Sequence, residues 1–120
     1  MKLTESLANF IAGTNYSDIP AQTIAAAKER LLDTIGAMLA GRAGWAYGDA
    51  LIEASRALGA GSYPAIGPDA RAQFPAARAA ALNATFAHAI ELDDGHKFAG
   101  VHAGAVVIPT ALVMAQECGA

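Results

Sequence analysis

A chain of 120 residues is enough for one small domain with one modest core. It is 54% hydrophobic, but alanine supplies much of that and only 7% is aromatic, which favours closely packed helices over a thick core. A net charge of −3, with eight Lys and Arg scattered rather than striped, argues against a nucleic-acid partner, since phosphate binding needs clustered cations.

In chain order, no long apolar run follows Lys2, so no secretory leader is expected. Thr4 can cap a first short helix over about 4–12, which Gly13 stops. Ser17 and Asp18 supply a polar entry, and Pro20 a first turn, for a second helix. Its Ile24, Ala27, Leu31, Ile35 and Met38 fall three or four apart and make one buried stripe, and Gly41 should end it. A third helix covers about 45–58, with Leu51, Ile52 and Leu58 apolar and Gly59 and Gly61 closing it. Residues 62–68, which include Pro64, Gly67 and Pro68, read as turn and short extended chain.

From about Pro75 the chain is helical again as far as Glu91. It then breaks at Gly95, passes Gly100 and Gly104, and resumes as a last helix over about 108–117, with Pro109 in the opening turn. Nothing alternates for long enough to build a sheet, so the fold class is all-α. The lone cysteine, Cys118, cannot pair internally and reads as a small hydrophobe at a helix end, with the reducing cytoplasm as the expected compartment. No run of about eighteen apolar residues predicts a membrane span.

The chemistry is concentrated in residues 88–102. All three histidines of the chain, His88, His96 and His102, lie there, and so do Glu91, Asp93 and Asp94. His88 and Glu91 share a face if the helix reaches that far, and Asp94 comes round to the same side. Acids at a helix C-terminus oppose the helix dipole at about 0.3–1 kcal/mol each, so their crowding here runs against folding economy. Imidazoles beside carboxylates have raised pKa values and can trade protons near neutrality. The bland alternative is a solvated turn at Asp93, Asp94 and Gly95, with His88 an ordinary histidine. The gathering of every histidine in one segment favours function. A metal site is the weaker candidate: no His-Glu-x-x-His occurs, and the His88-then-Glu91 order reverses the di-iron pattern.

On these residues the sequence resembles the MmgE/PrpD family, which includes 2-methylcitrate dehydratases, cis-aconitate decarboxylases and iminodisuccinate epimerases. The resemblance runs along essentially the whole chain. Its marks are the Leu7-Ala8-Asn9-Phe10 entry, the Ile19-Pro20 helix start, and Leu31-Leu32-Asp33-Thr34-Ile35-Gly36. Residues 79–89, the acidic motif Glu91-Leu92-Asp93-Asp94, His102, and residues 106–112 complete it. It implies the N-terminal part of a large helical domain, with the rest of that domain and a smaller α/β domain further along. It also implies an active site between domains that needs no cofactor and no metal, and that moves protons beside a carboxylate of a small polycarboxylate.

Carried over by motif position, the implied catalytic residues are His102, Glu91 and Asp94, with His102 the general acid or base. His96, Lys97, Asp93 and His88 would contact substrate, and further basic residues would come from elsewhere. The resemblance further implies a homodimer. Dehydratase and decarboxylase branches usually carry Thr after the two aspartates and Pro after the histidine, where this chain has Gly95 and Ala103; Glu91 stands where Asp is common. A missing hydroxyl weakens dehydration and favours epimerisation, with His102 paired to His96 or Lys97. Two other readings stay open: a small helical interaction or dimerisation module, and a metal-dependent hydrolase.

Overall fold

A computed structural model of the chain describes residues 2–67 and 72–120. Five α-helices make up most of it, so the all-α expectation holds. The first, α1, covers Leu3–Gly13. Thr4 lies inside it: the cap is Lys2, whose backbone N–H donates to Glu5 Oε2 at 3.0 Å. No residue of α1 is buried, and Leu3, Leu7, Phe10 and Ile11 are all exposed.

After a single 3-10 turn at Tyr16–Asp18, α2 runs over Ala21–Gly44, capped by Pro20. Gly41 does not end it. A Cβ there would lie 1.9 Å from the Phe86 carbonyl oxygen, so this glycine lets two helix backbones touch. The buried positions of α2 are Thr34, Ala37, Met38 and Gly41. Of the expected stripe, Met38 alone is fully buried; Ala27 is exposed and Ile24, Leu31 and Ile35 are half-buried. The third helix, α3, is shorter than expected, at Gly48–Arg56, and leaves Leu58 exposed.

Tyr63–Pro64 (β1) pairs antiparallel with Gln73–Phe74 (β2), a two-stranded ribbon that alternation was too brief to announce. Pro68, the end of the predicted turn, lies outside the described residues. Helix α4, Ala76–His88, is the central element and packs against both α2 and α5, the latter covering Ala103–Cys118. Asn83 on α4 is buried yet satisfied. Its Oδ1 accepts the Ile66 N–H at 2.8 Å and its Nδ2 donates to the Pro64 carbonyl, which ties the ribbon to the helix.

The core is small and rests on Phe74, Phe86, Leu82, Ile52 and Val113, with Met38, Ala87 and Ala105 in a second cluster. The second cluster lies where α2, α4 and α5 meet. Helix α5 starts five residues before the expected boundary of 108, and Pro109 is therefore buried in its interior. Cys118 is a free thiol at the helix end and is exposed rather than packed. No described helix is long and apolar enough to cross a membrane.

Candidate active site

The site forms where α4 stops. The sequence led the helix as far as Glu91, but it ends at His88 and Glu91 does not continue it. It adopts φ of 56°, the left-handed region that a non-glycine residue occupies at a cost of roughly 1–2 kcal/mol. Its N–H still bonds the His88 carbonyl at 3.0 Å, so the reversal is tight. The chain then doubles back and carries the next two acids beneath the helix end.

Those neighbours face different partners. Asp93 has a fully buried side chain whose oxygens lie 3.0 and 3.1 Å from His88 Nδ1, and its Oδ2 lies 3.2 Å from His102 Nδ1. The second contact is close but off the line a hydrogen bond needs, so the buried His102 Nδ1 has no hydrogen-bond partner among the described residues. Asp94 turns the other way, and its Oδ1 accepts the Gly104 N–H at 2.8 Å. That bond satisfies a free amide in the first turn of α5 and explains the helix's early start.

The two imidazoles meet edge to face, with centroids 4.6 Å apart, although thirteen residues, 89–101, separate them in the chain. Glu91 Oε1 sits 3.5 Å from His88 Nε2. The His88 ring is held above the ordinary imidazole value first by its hydrogen bond to Asp93, then by the charge of that carboxylate; burial opposes this and the Glu91 charge adds last. His88, Glu91 and His102 each offer a ligand-capable atom, all within 4.8 Å of one another, and the three could converge on a proton, a cation or a polar substrate atom.

They open onto a cleft of about 840 Å³ walled by Trp45, Val101, Val106 and Val107. These wall residues were not singled out in the sequence. The signal for them was Val106 and Val107 in the first turns of the helix that His102 precedes.

His96 and Lys97 are not part of that cleft. They lie on a short hairpin closed by the His96–Val101 bridge, where His96 Nδ1 accepts the Ala99 N–H at 3.1 Å. They line a separate hollow of about 290 Å³ with Gly95, and His102 borders both spaces. Gly95 itself lies against the His102 ring: a Cβ there would be 3.7 Å from Cε1, an ordinary contact. A threonine at 95 would therefore put its side chain beside the imidazole.

Comparison with known proteins gives a consistent result. Residues 5–120 match the model of the MmgE/PrpD N-terminal domain. The cis-aconitate decarboxylase-like protein oryM of Aspergillus oryzae (strain ATCC 42149 / RIB 40) is 33% identical over 119 residues, which is 95% of this chain and 23% of that protein. The chain thus spans about a quarter of the length of the curated relative it matches. No solved structure matches it.

Proposed function

The chain belongs to the MmgE/PrpD family, and on that premise we propose that it supplies half of a proton-transfer site for a small di- or tricarboxylate. The observation that carries this is the convergence of His88, Glu91 and His102 at one cleft. In this reading a basic group, His102 or Glu91, takes the proton from a carbon beside a substrate carboxylate. The C–H electron pair passes into that carboxylate as an enolate, and a second group returns a proton or a leaving group departs. No cofactor is required for such a step.

Gly95 and Ala103 favour epimerisation over dehydration, because no hydroxyl stands where a hydroxy acid would be handled. His96 and Lys97, across His102 from the main cleft, are candidates for the group on the opposite face. The exposed apolar face of α1 supports burial against a second subunit in a homodimer. Solvent-deuterium incorporation into iminodisuccinate and methylcitrate by the whole gene product, with and without His102, tests the reading.

A second reading has one specific support. Two histidines and a glutamate within 4.8 Å also suit a divalent transition metal in a hydrolase. Loss of turnover on chelation, restored by added metal, would favour it over cofactor-free chemistry.

A further inference from the structure

Asp93 has a side chain with no exposed surface, yet its carboxylate lies within 3.2 Å of one nitrogen on each of two imidazoles. In both cases that nitrogen is Nδ1. An isolated buried carboxylate is expensive, so the site keeps it only where it has partners. On His88 it has a hydrogen bond shared between both oxygens. On His102 it lies 3.2 Å from a buried nitrogen that has no hydrogen-bond partner among the described residues. On the opposite edge of its ring, His88 Nε2 meets Glu91, and both imidazoles line the cleft.

We propose that Asp93 is a positioning residue that grips both imidazoles by their Nδ1 edges and so presents the two Nε2 atoms to the cleft as a pair. It acts through His88 and His102 and does not touch substrate. The proposal rests on the proton-transfer reading for its effect on turnover, but its geometric content stands apart from it. A carboxylate behind an imidazole fixes which ring nitrogen carries the hydrogen, and a catalytic base must have its free lone pair on the side that faces the substrate. The off-line His102 contact fits a site at rest, since hydrogen bonds of this kind tighten when substrate closes the space. The neighbouring Asp94 cannot substitute, because it is committed to Gly104. The charged groups facing the pair are therefore Asp93 from behind and Glu91 from the cleft side.

The test is tautomer analysis by nitrogen-15 NMR of the histidine-labelled whole gene product, beside steady-state kinetics of Asp93→Asn. Signals are assigned by loss in His88→Gln and His102→Gln. The clamp predicts that neutral His88 and His102 both carry hydrogen on Nδ1. It further predicts that Asp93→Asn mixes the tautomers and lowers kcat by about tenfold or more with little change in KM. Either ring found with hydrogen on Nε2 in the unaltered protein overturns the proposal, and this result needs no variant to fold. So does an Asp93→Asn protein with unchanged tautomers or unchanged kcat. If no polycarboxylate is turned over, the proton-transfer reading falls while the tautomers still decide the clamp.

Discussion

The Asp93 carboxylate holds His88 Nδ1 with both of its oxygens, at 3.0 and 3.1 Å, from a position closed to solvent. This pairing raises the folded pKa of His88 above its ordinary value of 6.5. The folded chain therefore binds the imidazolium proton more tightly than the unfolded chain does. The stabilisation is complete below the unfolded value and is lost as pH climbs through the folded one. His88→Gln should cost stability at about pH 5.5, with the difference from the parent shrinking towards about pH 9. The ring is nearly half exposed, so screening keeps the effect modest. Urea melts of both proteins across that range check it, and a gap that widens with pH would refute the pairing.

Glu91 offers a way to separate folding from function. Its left-handed backbone is a strain that glycine would not feel. Glu91→Gly should therefore leave stability unchanged or raise it by about 1 kcal/mol, while removing the carboxylate from the cleft and lowering turnover. Melts and kinetics on the same preparation decide. Destabilisation with full activity would mean that the residue serves the fold alone.

Asp94 was expected among the catalytic groups, and its bond to the Gly104 amide gives it a measurable structural share. Asp94→Ala should cost about 1 kcal/mol through the loss of that acceptor, whereas Asp94→Asn keeps an oxygen in place and should cost less. Equal losses for the two variants would place the effect in the charge instead.

Gly95→Thr should be accommodated, since a Cβ there meets His102 at an ordinary distance. Under the proposed function, the added hydroxyl would stand beside the His102 imidazole. Turnover of a hydroxy acid should rise relative to proton exchange. If that ratio does not move, the glycine has no part in choosing the reaction.

Much of the fold was legible because helices advertise themselves by period, and five were found where five occur among the described residues. Their ends were less legible, for reasons that lie far away in the chain. Gly41 reads in sequence as a stop, but its role is to let Phe86 approach α2. Helix α5 starts early because a residue ten positions upstream, Asp94, takes one of its amides. Glu91 reverses the chain with a backbone conformation that no local pattern announces. The candidate site followed the same division. The gathering of histidines and acids was visible, whereas the opposite orientations of adjacent Asp93 and Asp94 were not. Nor was the separation of His96 and Lys97 onto a hairpin, since that depends on the His96–Val101 bridge.

In the proposed function, the His102 imidazole moves a proton beside a substrate carboxylate. The most direct test is solvent-deuterium exchange into small polycarboxylates, catalysed by the whole gene product and by its His102→Ala variant, with melts to show that both are folded. Exchange is expected in the parent, with a loss of about a hundredfold or more in the variant. Exchange at the parent rate by a folded His102→Ala protein would contradict it.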